Sequence, residues 1–182
     1  MPEDALIEPL RGALLRHLGE TEIDLARLAG QLPVQDVLGP ATLAYLDAED
    51  FAAAHIDGEV ESLPAGHRDV QALIASVDEQ DADECGLDEV VSPVFVLREG
   101  RDVIAAAGYG PWLDAAAHMA VLTASGYRGR GLARLVASAA VADALANGLL
   151  PQWRARPEPS RRVARALGFR EYGAQISVQL RT

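Results

Sequence analysis

Six consecutive residues, Arg128-Gly129-Arg130-Gly131-Leu132-Ala133, combine glycines and arginines where a strand pattern gives way to a helix pattern. Their placement gives them chemistry. The first amides of a helix lack intrahelical acceptors, and the helix dipole leaves about half a positive charge there. A loop wrapped over a helix start can therefore hold a phosphate through its backbone. Gly129 and Gly131, without a Cβ, admit positive φ and close approach of an anion. Arg128, Arg130 and Arg134 add charge, each favourable helix-terminus interaction contributing on the order of 0.3–1 kcal/mol. Two other phosphate loops are excluded: the chain has no lysine for a GxxxxGK[ST] loop, and the third glycine of a dinucleotide fingerprint is missing. On these six residues alone, a plain turn between strand and helix stays open as the alternative.

The elements that must position this loop follow from periodicity. SPVFVLR, DVIAAAGYG and AAAHMAVLT, with turns at Glu99-Gly100 and around Pro111 to Asp114, predict an antiparallel meander. After the loop the period becomes 3.6, with Leu132, Leu135, Val136, Ala139 and Leu145 on one face and Asn147-Gly148 as a stop. LLPQWRA reads as a strand. Ser160 reads as the N-cap of RRVARAL, in which Val163 and Leu167 share a face and which Gly168 ends; ISVQL closes the chain as a strand. Upstream, EVESLP predicts a strand, HRDVQALIASV a helix, and DADECGLDEV an acidic loop or one-turn helix. From residue 58 the order is β, α, a three-strand meander, α, β, α, β, which is one α/β unit. Before it, residues 5–18 and IDLARLAG read as a helical pair, ATLAYL as a short strand and DAEDFAAAH as a turn or helix start. The expected organisation is an extension over 1–57 and a domain over 58–182.

Composition bounds the function. At 182 residues, 49% hydrophobic, 24% charged and a mean hydropathy of +0.06, the chain is a folded protein rather than a disordered or collagen-like one. The lone Cys85 forms no internal disulfide, and His17, His55, His67 and His118 have no ligand spacing, so no structural metal is expected. No apolar run approaches the ~20 residues of a membrane span, and the acidic start is not a secretory signal; a cytoplasmic protein is expected. Residues 1–100 carry 22 acidic and 5 basic side chains, and residues 101–182 carry 5 acidic and 11 basic, all of them arginine. The net charge of -11 would repel a long polyanion, so a small anionic cofactor suits the basic half better than nucleic acid.

The loop resembles the pyrophosphate loop Q/R-x-x-G-x-G/A of the GNAT superfamily of acetyl-CoA-dependent N-acetyltransferases. AHMAVLT stands in place of that family's fourth strand, and SRRVARALGF is similar to its recurrent serine, helix and closing L-G-F. The resemblance covers about residues 58–182. It implies an α/β (α+β) fold with a mixed, mostly antiparallel central sheet flanked by helices, here with an N-terminal, partly helical extension. It further implies that the backbones of Leu122 and Thr123 bond the pantetheine arm. Arg128, Gly129, Arg130, Gly131, Leu132 and Ala133 would wrap the pyrophosphate, and Ser160 would reach the cofactor, with a plain N-cap as its alternative. The sequence also departs from the family: Pro157 replaces an Asn common three residues before the serine. Ala164 replaces the tyrosine, four residues after it, that serves as general acid toward the leaving thiolate.

Transfer to an amine needs a proton acceptor, because a lysine-like amine with a pKa near ~10.4 is charged at pH 7. The family's base positions on the fourth strand correspond to Ala117 and Met119, which cannot act. The catalytic residues stay unknown, with His118, Glu84 and Tyr172 as candidates; strand alternation turns His118 to the face opposite its neighbours. Asp81 and Asp83 lie beside Glu84 in the acidic segment. Their ordinary reading is a solvated charge run, and their functional one is attraction of a cationic acceptor. Tyr109 is a further acid candidate. Cys85 lacks an evident base, so direct transfer is preferred to an acyl-cysteine route; Trp112 and Trp153 read as core or pocket lining. The expected partners are acetyl-CoA and a small-molecule or peptide amine, with no metal, nucleic acid or membrane. A homodimer stays open, and an acyl-CoA-binding sensor with degenerate catalysis is the alternative function.

Overall fold

A strand needs alternating or doubly buried apolar residues and a turn to reverse it, and residues 94–123 supply both. The computed structural model describes residues 34–54, 60–112 and 115–180, with Arg27 and Gly30. Along the chain the elements are β1 (Val34–Tyr45), β2 (Glu61–Leu63), α1 (Arg68–Ala75), α2 (Glu79–Cys85), β3 (Val94–Glu99), β4 (Asp102–Trp112), β5 (Ala116–Thr123), α3 (Leu132–Ala146), β6 (Leu150–Ala155), α4 (Glu158–Ala166) and β7 (Arg170–Leu180). Short 3-10 turns stand at Ala48–Asp50 and Ser125–Tyr127. The expected α/β architecture is present: the strands form one mixed sheet in the order β2-β3-β4-β5-β6-β1-β7. β2 to β5 pair antiparallel in succession, and β5 pairs parallel with β6. The chain divides into two compact units, residues 43–172 and residues 1–42 with 173–182; the division falls within β1 and β7.

In the larger unit the sheet is covered on both faces. Ala120 and Leu122 of β5, with Val94, Val96 and Ala106, pack against Val70 and Leu73 of α1 and Cys85 of α2. Ala117 and Met119, with Ala105 and Ala107, pack against α3. The buried arc of α3 is broader than the sequence stripe: Leu135 and Val136 are in it, with Ala137, Ala140, Val141 and Ala144, whereas Leu132, Ala139 and Leu145 are only partly buried. Alanine facing alanine lets the helix lie close on β4 and β5, which a pattern weighted to large residues does not foresee.

Three elements differ from expectation. The acidic segment forms a seven-residue helix, α2, because Asp78 caps it, accepting from the Asp81 amide at 2.8 Å, and Gly86 ends it in the left-handed region. Ser160 is not the N-cap of α4. Pro157 is, and the helix begins at Glu158, because Pro159 in its first turn needs no N–H acceptor and Glu158 complements the dipole. ATLAYL is part of a 12-residue strand that lies between β6 and β7 in the sheet order. The helical pair expected over 5–18 lies outside the described residues, as do most of IDLARLAG and His55.

The closing Leu167-Gly168-Phe169 is a packing joint. Leu167 and Phe169 are buried, the Ala52 amide donates to the Leu167 carbonyl at 3.0 Å, and Gly168 takes φ of 100° with its Cα against the Asp50 carbonyl. A Cβ there meets that backbone oxygen at a φ that side chains resist. Gly168→Ala is expected to destabilise by roughly 2 kcal/mol or more, read as a lowered denaturation midpoint with an unchanged m-value.

Candidate active site

Beyond β5 the chain makes the Ser125–Tyr127 turn and enters α3 through the glycine loop, where Gly129 has φ of 76° and Gly131 φ of 78°. Gly131 is the residue before the helix, and no side chain caps it. The first amides of α3 with acceptors are those of Arg134 and Leu135, both donating to the Gly131 carbonyl at 3.1 and 3.3 Å. Among the described residues, the amides of 129–133 donate to no protein acceptor. A Cβ on Gly129 or Gly131 would have nothing within 4 Å. The glycines thus supply handedness and open ground beside a row of donors, which is what an anion needs.

The loop stands at the mouth of a gap in the sheet. β5 and β6 pair only at Ala116↔Leu150, Ala117↔Pro151 and His118↔Gln152. From there β5 runs on to Thr123 and β6 to Ala155 without further pairing among the described residues. The gap-side edge of β5 follows from the ladder: Ala124 donates to Ile104 at 2.9 Å, and hydrogen-bonded pairs alternate in an antiparallel ladder. Leu122 therefore turns its backbone groups to Ala106, while Val121 and Thr123 turn theirs to the gap. Of the two residues that the resemblance implies for the pantetheine arm, Thr123 turns its backbone to the gap and Leu122 does not. Thr123 Oγ1 is buried without a hydrogen-bond partner.

The arginines near the loop do not all point into it. Arg128 donates Nε to the Thr123 carbonyl at 3.3 Å and pairs with Asp81 of α2. Arg130 lies over the Tyr127 ring at 4.9 Å and donates to the Gly126 carbonyl at 3.3 Å. Glu84, one turn on from Asp81, pairs with Arg156 at 2.5 Å. Two of the carboxylates considered for the acceptor side are thus ion-paired to arginines that follow β5 and β6, and Asp83 is exposed.

His118 occupies the last paired position before the strands part. As alternation predicts, it lies on the face opposite Ala117 and Met119, both buried against α3. It is half-buried; Nδ1 lies 2.9 Å from Gln152 Oε1 and its ring 6.4 Å from Trp112, which is 48% exposed. Gly110 is its cross-strand neighbour, so the position directly opposite it on β4 carries no side chain, and the β4 residue beside it is Trp112. Burial pushes the imidazole below its ordinary pKa, with the Gln152 hydrogen bond and Glu89 opposing and Arg154 assisting. His118 is therefore neutral at pH 7. Gln152 in turn donates Nε2 to Tyr45 Oη at 2.8 Å.

The remaining candidates separate by their partners. Tyr109 donates to Asp143 at 2.7 Å; burial first, then that carboxylate, pushes its pKa to about 12, so it is a structural hydroxyl beside α3. Tyr172 is 65% exposed with its ring 6.2 Å from Tyr45. Cys85 is buried, its thiol bonded to the Ala82 carbonyl and pushed up by burial, which opposes a thiolate nucleophile. Ser160 lies in the first turn of α4, and its Oγ accepts from Trp153 Nε1 at 3.0 Å. Trp153 is core, edge-on to Phe169 at 5.4 Å. Ala164 is buried, so the family's tyrosine would not fit there. Sequence reasoning missed Gln152 and Tyr45. An amide within an apolar strand was the one available signal for Gln152; nothing local marked Tyr45. Among the described residues, no cluster of His, Cys, Asp and Glu could hold a metal ion, and no helix is long and apolar enough to cross a membrane.

Comparison with known proteins joins this geometry to a family. Residues 94–174 match the family model for GNAT acetyltransferase. In structure the chain is similar to a protein from Novosphingobium aromaticivorans assigned to the GNAT family (TM-score 0.64, 23% identity, 82% of this chain and 67% of that one). It is similar also to a GCN5-related N-acetyltransferase from Kribbella flavida (0.60, 19%, 85% and 62%) and to a GNAT-family acetyltransferase from Colwellia psychrerythraea (0.59, 13%, 89% and 63%). The chain spans less than two thirds of the length of the latter two. It matches no curated protein sequence. With a mixed sheet that opens between its parallel strands and a glycine loop entering the following helix, the chain has the fold of GNAT acetyltransferases, and its residues 94–174, from β3 into β7, are similar to that family.

Proposed function

We propose that this protein transfers an acetyl group from acetyl-CoA to an amine, by direct attack while both are bound. The observation that carries the reading is the open edge of β5, running from His118 past the Thr123 backbone to the amides of residues 129–133, which have no acceptor among the described residues. From His118 to Thr123 is five residues of strand, roughly 17 Å, which suits an extended pantetheine arm between a diphosphate and a reacting end. When bound, acetyl-CoA supplies the thioester carbonyl carbon that the amine attacks.

The chain's own residues supply the rest. The backbones of Gly129, Arg130, Gly131, Leu132 and Ala133 donate to the diphosphate, and the gap-side groups of Val121 and Thr123 hold the pantetheine amides. The free Ser160 O–H can donate to the arm. His118, neutral and half-exposed, takes the proton of the acceptor ammonium. Tyr172, exposed on β7 beside Tyr45, is the candidate for returning a proton to the departing thiolate. The buried, unactivated Cys85 supports direct transfer over an acyl-cysteine route. Exposed Asp83, Asp88 and Glu89, not ion-paired among the described residues, favour a cationic acceptor. The protein is read as cytoplasmic and as a partner of neither nucleic acid nor membrane.

Acetyl-CoA at 100 times its dissociation constant is expected to stabilise the protein by about 2.7 kcal/mol, a melting rise of roughly 5–10 °C at this size. Gly131→Val should abolish the rise; an undiminished rise would displace the proposed phosphate site. Binding without thiol release across a broad amine panel would favour an acyl-CoA sensor. After correction for the free-amine fraction, kcat/KM should fall on the acid side, as pH drops through a His118 pKa below 6.5 and the base becomes protonated. Arg154, Glu89 and Gln152 are the groups that act on it. His118→Gln should lower kcat by roughly 10²–10⁴-fold while keeping the melting rise.

A further inference from the structure

His118 has two ring nitrogens, and only one carrying a lone pair can accept a proton. Its Nδ1 faces Gln152 Oε1 at 2.9 Å, and an amide oxygen only accepts. The other end of that amide donates to Tyr45 Oη at 2.8 Å. Gln152 is 5% exposed, so its amide bonds these two side chains rather than water, and with Nε2 donating to Tyr45 it is Oε1 that faces His118. His118 Nε2 has no partner among the described residues and is not sealed from solvent. The three side chains come from β5, β6 and β1, and His118 and Gln152 are the last paired residues before the strands part.

We infer that Gln152, anchored by Tyr45, is a positioning residue that holds His118 in the Nδ1–H form, directing the basic Nε2 lone pair to the apex of the gap between β5 and β6. In free histidine in water the opposite tautomer is the more populated, so the arrangement selects the minor form. Nε2 receives the proton from the acceptor nitrogen while Nδ1–H stays bonded to Oε1, and the resulting imidazolium keeps that hydrogen bond. The catalytic part rests on the acetyl-transfer reading above; the tautomer does not.

The test is ¹⁵N NMR of the full chain labelled at histidine, with His118 assigned by its loss in His118→Gln. Above its pKa, His118 should show a protonated Nδ1 and an unprotonated Nε2. In Gln152→Leu both tautomers should appear. With any amine that is turned over, kcat should then fall about tenfold or more at unchanged acetyl-CoA melting shift. Gln152→Glu should keep Nδ1 protonated, raise the pKa of His118, move the acid limb of kcat/KM upward with it, and restore much of kcat. Tyr45→Phe should weaken tautomer selection less than Gln152→Leu. A protonated Nε2 in the wild type, or an unchanged tautomer in Gln152→Leu, overturns the inference. The expected spectra with no turnover of any amine uphold the tautomer lock and reject the acetyl-transfer reading instead.

Discussion

Backbone hydrogen bonds left unmade between β5 and β6 are the constraint on which the site depends. Buried peptide groups are nearly always paired, so an unzipped sheet interior persists only if each strand is held from its other side. β5 is held by its full register with β4, extended one residue further by Ala124 to Ile104. β6 is drawn the other way, since Trp153 packs on Phe169 and bonds Ser160 at the start of α4. The gap is thus a consequence of packing on both flanks, and beyond His118 the gap-side backbone of β5 is not paired with β6.

The two faces of β5 divide the labour. Toward α3 its side chains are small or buried, and close helix packing fixes where α3 begins, hence where the loop amides sit. Toward α1 and α2 the face is apolar up to Ala120 and then polar at His118, where Gly110 clears space from β4. One strand therefore carries unpaired backbone along its edge and a titratable side chain at the apex, offset by a length set only by residue count.

What could be read from the sequence was local. The meander, the helix after Gly131 and the positive φ at Gly129 and Gly131 follow from periodicity and from the absence of Cβ, and all are present. The Ser160 cap failed because two prolines start the helix earlier, a case in which a good capping residue loses to a better helix beginning. The gap itself was not readable, because it is a missing pairing between segments whose register partners, such as His118 and Gln152, are far apart in sequence. Nor was the company of His118: Gln152 meets it through the β5–β6 pairing, and Tyr45 bonds Gln152 because β1 enters the sheet beside β6, long-range arrangements that no local pattern encodes.

The uneven charge of the chain also finds a place in the fold. Its acidic half contributes α2, whose Asp81 and Glu84 grip Arg128 and Arg156 from the basic half. Those arginines stand just past the ends of the two diverging strands, so a single short helix is tethered to both banks of the opening. Such ties are ionic and partly solvated, and added electrolyte slackens both together. The breadth of the opening and the seat of α2 are on this account one mechanical variable, sensitive to the surrounding medium.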